Sequence, residues 1–157
     1  IENIGYLIKL LTSNNSFIRK NILDLYIPYL NKQVLQYTEQ LGLMHVISIN
    51  NDLSTNILYM GKDVSYFNMS QGERLRANLA TTMAFRDLVS KLGKNSNITI
   101  IDEMLDAGGD TSLVNRTMNL LSCKGGYRAI ISHRSDISDF VDRTVTIVKR
   151  NGFSIVE

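Results

Sequence analysis

Apolar residues recur at helical intervals through the first quarter of the chain. Positions 1–12 carry four on one face, which predicts a helix: Ile4, Leu7, Ile8 and Leu11. The polar run 13–15 interrupts the pattern, and Ser16 is placed to cap a second, longer helix that ends near Gly42. That helix continues the stripe with Ile18, Ile22, Leu25, Tyr29, Val34 and Tyr37. Pro28 lies inside it and predicts a kink or a restart, because proline removes a backbone donor.

The pattern then changes to strand periodicity and returns to helix. Residues 45–49 and 56–60 predict two strands joined by a polar run, and 61–63 predict a turn. Residues 71–92 give the strongest helix prediction, which Gly93 ends. Its apolar stripe consists of Leu75, Leu79, Ala80, Met83, Ala84, Leu88 and Leu92.

The last third alternates strand and helix and finishes in a hairpin. The predicted elements are a strand at 98–101, a Gly/Asp-rich turn at 106–110, a helix near 111–122, a strand at 128–132, and hairpin strands at 144–149 and 153–156. Asn151-Gly152 between the hairpin strands is the dipeptide favoured in tight type I′ turns. The alternation predicts an α/β fold.

A polar turn with glycine opens the long helix at 71–92. Its sequence is NMSQGE, in which Ser70 precedes Gln71, Gly72 and Glu73. The first N–H groups of a helix can bind phosphate. Ser70 and Glu73 also form an ordinary capping box, which we expect to be present. A capping box needs no glycine at Gly72, whereas the close approach of a phosphate does, so the turn also indicates anion binding.

An apolar strand ends in two acids, Asp102 and Glu103. Ligands of α/β sheets lie at the carboxyl ends of strands. Adjacent side chains of a strand diverge, so Asp102 could address magnesium while Glu103 orients and deprotonates a water. The alternative is that both acids only cap the following loop. We expect a buried strand, and its apolar run favours the functional interpretation.

A second apolar strand ends in Ser132-His133, which brings an imidazole to the same sheet edge. A lone histidine at a strand end is more often structural than catalytic. The neighbouring serine and the apolar run, which again predicts a buried strand, favour a role in the site.

Composition limits the class of protein. At 157 residues with 44% hydrophobic content, the chain can bury one core, and we expect one domain. Cys123 is the only cysteine, which excludes an internal disulfide and suits a reducing, cytoplasmic compartment. No run is long enough to span a membrane, and the formal charge of +2 neither demands nor excludes a nucleic acid.

A phosphate-binding P-loop, GxxxxGK followed by Ser or Thr, does not occur in the sequence. If the chain acts on a nucleoside triphosphate, the main phosphate-binding loop must come from another polypeptide or from another part of a longer protein. The chain begins at Ile1 in what reads as the middle of a helix, so we expect it to be part of a longer protein.

Together these segments match a known family. NMSQGERLRANLATTMAFRDL resembles the signature helix of ABC-type ATPases, specifically the SbcC-like, SMC-related DNA-repair ATPases. ITIIDE resembles their Walker B strand, DAGGD their D-loop and IISHR their switch-histidine loop. The acidic loop DEMLDAGGD is similar to that of the large subunit of T4-type recombination exonucleases.

The resemblance implies a fold. It implies the carboxyl-terminal lobe of an ABC-type ATPase head, with a mostly parallel central sheet, flanking helices and a terminal β-hairpin. Residues 1–157 form a single lobe in this interpretation. Residues 1–42 are the helical coiled-coil base and lead-in, and 43–157 carry the signature, Walker B, D-loop and switch-histidine core.

The resemblance also implies roles for individual residues. Glu103 is the general base and His133 senses the γ-phosphate. Asp102 supports magnesium. Ser70 and Gly72 contact the γ-phosphate of ATP held by an opposite head, and the nucleotide-binding set as a whole is Ser70, Gln71, Gly72, Glu73 and Asp110. The loop is one residue longer than the common Asp-Glu-Pro type, so Asp106 remains a rival of Asp110 for the D-loop aspartate.

Three functional hypotheses follow from the resemblance. The first is an ATPase half-head of a DNA end-processing complex that uses ATP and magnesium. Its partners are an amino-terminal P-loop lobe, a second head, an SbcD-type nuclease and DNA, in the cytoplasm of a host cell if phage-encoded. The second is an SMC-related tethering or recombination ATPase without a nuclease. The third is a transporter nucleotide-binding domain, which the absence of proline after Glu103 disfavours.

Overall fold

The computed structural model describes residues 4–5, 8, 16–93, 96–106 and 110–157. The helix predicted over 1–12, the interruption at 13–15 and the centre of the DAGGD loop lie wholly or largely outside the described residues. In chain order the elements are α1 (Phe17–Gln40), β1 (Val46–Ile49), β2 (Thr55–Tyr59), β3 (Lys62–Asp63), a 3-10 turn (Tyr66–Asn68), α2 (Gln71–Lys91), β4 (Ile98–Asp102), α3 (Thr111–Ser122), β5 (Tyr127–Ile131), a 3-10 segment (Ser135–Phe140), β6 (Ile147–Arg150) and β7 (Phe153–Val156).

Helix α1 begins at its predicted cap, where the Ser16 side chain accepts a hydrogen bond from the Arg19 N–H at 3.0 Å. The helix runs without a break through Pro28, so of the predicted kink or restart the restart does not occur. Pro28 is exposed, which leaves its ring clear of the core.

The buried residues of α1 begin at Ile27, near the middle of the helix. Its buried residues are Ile27, Leu30, Val34, Tyr37 and Thr38. The first part of the predicted apolar stripe is exposed, namely Ile18, Ile22 and Leu25. Tertiary packing decides which part of the stripe is buried. Helix α1 packs on α2 and β1, and its buried residues lie from Ile27 onward.

The first sheet is antiparallel, with strand order β1-β2-β3. Strand β3 lies where the sequence predicts only a turn, because the reversal is completed by Met60 and Gly61, both with positive φ. Asn31 of α1 completes one edge of β1. Its amide donates to the Ile49 carbonyl at 2.9 Å and accepts from the Ile49 N–H at 2.8 Å.

Helix α2 matches its prediction closely. It runs from Gln71 to Lys91, and Gly93, with φ +80°, follows its carboxyl end. It buries Ala77, Leu79, Ala80, Met83 and Ala84. Leu92 is exposed, contrary to prediction, because it lies beyond the last helical turn.

A polar cluster joins the three helical regions. Asp87 of α2 accepts hydrogen bonds from the Tyr37 hydroxyl and from Lys124, whose Nζ lies 2.8 Å from Oδ2. Burial, and then the Asp87 carboxylate, raise the pKa of Tyr37.

Strands β4 and β5 form a parallel pair linked through α3, in register from Ile98 opposite Tyr127 to Asp102 opposite Ile131. Before β5, Gly126 has φ +98°, and a Cβ there would collide with the Asn97 carbonyl. The described strands form three separate sheets, and β4–β5 is the one parallel pair among them. The predicted mostly parallel sheet is therefore present here only as two strands.

The prediction that these two strands are buried is wrong for this chain. In β4 only Ile101 is buried, and β5 contains no buried residue. One face packs on the core through Ile101 and Ile130. The opposite face exposes large apolar side chains: Ile98 (55%), Ile100 (67%) and Ile131 (51%).

The terminal hairpin β6–β7 is confirmed, although β6 begins at Ile147 rather than at 144. Asn151 and Gly152 have φ of 51° and 87°, as a type I′ turn requires. Every residue of β7 is exposed. No helix in the described part of the chain is both long and apolar enough to cross a membrane.

Candidate functional site

The predicted capping box at the start of α2 is present. The Glu73 N–H donates to Ser70 Oγ at 3.3 Å, and the Ser70 N–H donates to Glu73 Oε2 at 2.8 Å. The Ser70 hydroxyl also donates to the same Oε2 at 2.7 Å, which lowers the pKa of Glu73. Gln71 is exposed and Gly72 half-buried at the first helical positions, where backbone N–H groups have no partner within the helix.

A buried histidine, His45, lies next to Glu73 in the first turn of α2. The sequence analysis did not identify this residue as part of the site. His45 is 5% exposed and stacks on the Tyr59 ring at 4.7 Å between centroids. Its Nδ1 lies 4.0 Å from Glu73 Oε1 and is one of the buried polar atoms without a hydrogen bond to any described residue. The only sequence signal was a histidine at the start of an apolar strand.

The ends of β4 and β5 bring two predicted site residues together. His133 Nε2 lies 3.4 Å from Glu103 Oε1, and both side chains are well exposed. The Glu103 N–H donates to the Ile131 carbonyl at 2.8 Å, which extends the strand pairing by one residue. Asp102, the last residue of β4, is exposed beside them.

Glu103 has an unusual backbone conformation. Its φ is +49°, in the left-handed region that non-glycine residues rarely adopt. The turn that follows is closed by the Asp106 N–H, which donates to the Glu103 carbonyl at 3.1 Å. The left-handed residue therefore reverses the chain directly after the strand.

Asp106 holds the loop that carries His133. It accepts hydrogen bonds from the Ser132 hydroxyl and from the His133 N–H, the latter at 2.9 Å. Partial desolvation raises the pKa of Asp106, but these bonds outweigh it and the net shift is downward. Asp106 is thus engaged with the loop that carries His133.

Asp110 is held differently. It caps α3 by accepting from the Leu113 N–H at 2.7 Å, and its two oxygens accept from Arg76 Nη2 at 2.9 and 3.0 Å. The Leu113 N–H contributes most to lowering its pKa, and Arg76 adds to the effect. Residues 107–109 of the DAGGD loop lie outside the described residues, so the path between Asp106 and Asp110 is not described.

The described residues contain no cluster of three or more His, Cys, Asp or Glu arranged to hold a metal ion. Asp102 offers one exposed carboxylate at the strand end. Oxygen donors of this kind suit magnesium, which is often held by one or two carboxylates together with substrate phosphates. Asp102 therefore suits a magnesium site to which this chain supplies one carboxylate ligand.

No protein-family profile matches the chain, but two curated proteins do. It is 32% identical over 123 residues to exonuclease subunit 2 of Escherichia phage RB69, and 30% identical over 123 residues to exonuclease subunit 2 of Enterobacteria phage T4. Each match covers 76% of this chain and 22% of the relative. The chain therefore spans about a fifth of the length of these proteins.

The fold matches solved structures of SMC proteins. One comes from work on ATP-driven dimerisation and DNA-stimulated activation of SMC ATPases, with a TM-score of 0.71 and 22% identity over 88% of both chains. At this identity the likeness establishes the fold, which is that of an SMC ATPase head lobe.

Proposed function

We propose that the chain, a homologue of the phage exonuclease subunit 2 proteins, forms the carboxyl-terminal lobe of an SbcC-like, SMC-related ATPase head. In this role it supplies the signature, Walker B and switch residues for the binding and hydrolysis of ATP. The observation that carries the proposal is the pairing of Glu103 with His133 at the ends of two parallel strands.

Glu103 acts as the general base toward the attacking water. Its carboxylate is exposed and is held beside an imidazole, 3.4 Å from His133 Nε2, which fits a base that must reach a water outside the lobe. His133 senses the γ-phosphate, and the Asp106 bonds keep its loop in place. Asp102 contributes one carboxylate to magnesium, which neutralises charge on the phosphates when bound.

The start of α2 binds the nucleotide of a second head. Ser70 and Gly72 lie at an amino-terminal helix end whose unpaired N–H groups and dipole favour an anion. Gln71 and Glu73 complete the turn, and Glu73 holds the Ser70 hydroxyl. Asp110 at the start of α3 belongs to the same proposed interface.

The P-loop lobe of the longer parent protein covers the open face of β4–β5. Three isoleucines exposed on a two-stranded parallel sheet favour a partner, since parallel sheets are normally covered on both faces. Residues 1–157 act as one lobe in this arrangement. The exposed stripe Ile18, Ile22 and Leu25 of α1 continues into a coiled coil.

The complex processes DNA ends or recombination intermediates in the host cytoplasm. The relatives are named as exonuclease subunits, which favours an SbcD-type nuclease as partner, with ATP-driven dimerisation of two heads controlling it. An SMC-related ATPase that tethers DNA without a nuclease is the second candidate, and the SMC fold supports it equally.

Glu103→Gln in the parent protein tests this proposal. We expect ATP binding to persist and turnover to fall by ~10²–10⁴-fold, the usual effect of losing a general base. Dimers with bound ATP should accumulate, measured by light scattering beside steady-state hydrolysis. Asp24→Asn, an exposed acid on α1 far along the sequence from the site, is the matched control and should hydrolyse ATP normally.

Two results would contradict the proposal. The first is normal turnover by Glu103→Gln. The second is magnesium-dependent ATP hydrolysis by this chain alone, because positioning of the triphosphate by a P-loop dominates phosphoryl transfer and the sequence contains no P-loop.

A further inference from the structure

Two arginines from other elements bind the carboxyl-terminal end of α1. Arg116 of α3 donates from Nη1 to the Gln40 carbonyl at 3.2 Å, and Arg76 of α2 donates from Nε to the Leu41 carbonyl at 3.1 Å. The last turn of α1 contains no basic residue of its own. The last carbonyls of a helix lack partners and carry partial negative charge, so these guanidinium groups supply both the donors and the charge.

Arg76 makes a further contact that Arg116 does not. Its Nη2 donates to both oxygens of Asp110, at 2.9 and 3.0 Å. The Arg76 side chain is only 14% exposed, whereas that of Asp110 is 62% exposed. One nearly buried guanidinium therefore joins three helices: its own α2, the end of α1 and the cap of α3.

We propose that Arg76 is a positioning residue for Asp110. Because it bonds both groups, it couples the position of the Asp110 carboxylate to the position of the carboxyl-terminal end of α1. This inference rests on the proposed function, in which Asp110 lies at the interface with the second head and α1 leads to the coiled coil. The guanidinium is planar and its donors have fixed relative directions. A shift of α1 relative to α2 must therefore break the bond to Leu41 or move Asp110.

Arg116 provides a matched comparison. It caps the same helix end, and it packs so closely on Gly42 that a Cβ there would lie 3.2 Å from its guanidinium. Its Nε also donates to Ser112 Oγ at 3.4 Å, and it acts on Asp110 only through its charge. Loss of either arginine should destabilise the carboxyl-terminal end of α1. Only loss of Arg76 should also remove the guanidinium hydrogen bonds to the Asp110 carboxylate.

The test uses the parent protein with its P-loop lobe, in the variants Arg76→Gln, Arg76→Lys and Arg116→Gln. We expect Arg76→Gln to lower kcat by ~10–10²-fold with little change in the KM for ATP, the scale of a small misplacement of a site group. Arg76→Lys keeps the charge but lacks the several fixed donors of a guanidinium, so its kcat should lie between those of Arg76→Gln and the wild type. Arg116→Gln should leave kcat and KM within about twofold of the wild type, because it touches no proposed site residue.

A double variant tests whether Arg76 acts on kcat through Asp110. In an Asp110→Asn background, Arg76→Gln should change kcat by less than about threefold, because residues that act through one contact are not additive. An undiminished effect in that background, or an equal loss of kcat in Arg116→Gln, would overturn the inference. If Arg76→Gln does not fold, Arg76→Lys in the two backgrounds gives the same comparison.

The controls separate this inference from the proposed function. Wild-type turnover that Glu103→Gln abolishes supports the proposed function, and normal kcat in Arg76→Gln then refutes the positioning role alone. If the wild-type complex does not hydrolyse ATP, both are refuted.

Discussion

At the residue scale, the backbone of Glu103 differs from that of the other non-glycine residues with positive φ among those described. Leu53, Met60 and Asn151 lie in or beside turns between antiparallel strands, where such conformations are common. Glu103 instead follows a parallel strand at the proposed site, with φ +49°. A strained conformation at such a position supports the role proposed above for the Glu103 side chain.

Glu103→Gly should therefore stabilise the chain while removing its proposed base. Glycine adopts the left-handed conformation without a Cβ clash, so we expect the free energy of unfolding to rise by about 0.5–1 kcal/mol. Glu103→Gln keeps the Cβ and serves as the control, since the exposed Glu103–His133 pair contributes little to stability. Urea unfolding measures both. A glycine variant less stable than the glutamine variant would show that the conformation is not strained.

At the element scale, the sequence predicted those features that depend on neighbouring residues. The Ser16 cap, the Ser70–Glu73 capping box and the Asn151-Gly152 turn are all present as expected. Each is a contact within a few residues, so its signal is contained in the local sequence. Strand β3 was missed because its two residues carry no strand pattern.

The candidate site was predictable where a general rule of parallel sheets applies. Neighbouring parallel strands end at one edge, and this brought Glu103 and His133 together as expected. The contacts of His45, Arg76 and Asp106 were not predictable. They join residues about 26 to 34 positions apart, and such pairs leave no trace in a single sequence.

Asn31 gives an element-scale prediction. Its amide pairs with both backbone groups of Ile49, a buried residue at the end of β1. Asn31→Ala should lower the free energy of unfolding by about 1–3 kcal/mol, because two backbone groups lose their partner. Gln33→Ala, on the same helix with only an exposed bond to Gln36, should change it by less than about 0.5 kcal/mol. Equal urea midpoints for the two variants would contradict the bridging role of Asn31.

At the scale of the whole molecule, the described structure has apolar β surface with nothing to cover it. The outward face of β4–β5 exposes isoleucines, and the β6–β7 hairpin exposes Ile147, Phe153, Ile155 and Val156. Exposed apolar residues grouped on a sheet face favour an interaction site there. With the proposed second lobe docked on β4–β5, the strands predicted to be buried would be covered on both faces, as their apolar runs suit.

Ile100→Lys should separate the two lobes. Ile100 lies at the centre of β4 on the uncovered face, so docking of the P-loop lobe would bury the new ammonium group without a partner. A buried unpaired charge costs several kcal/mol, so we expect the affinity between separately expressed lobes to fall by at least ~10²-fold. Met60→Lys is the control, because Met60 is also a well-exposed apolar residue but lies in the β2–β3 turn, and it should bind normally. Isothermal titration of one lobe with the other measures both, and wild-type affinity in Ile100→Lys would exclude this face as the lobe interface. The unfolding midpoint of the isolated chain should stay unchanged in Ile100→Lys, because the side chain contributes to the core only after docking.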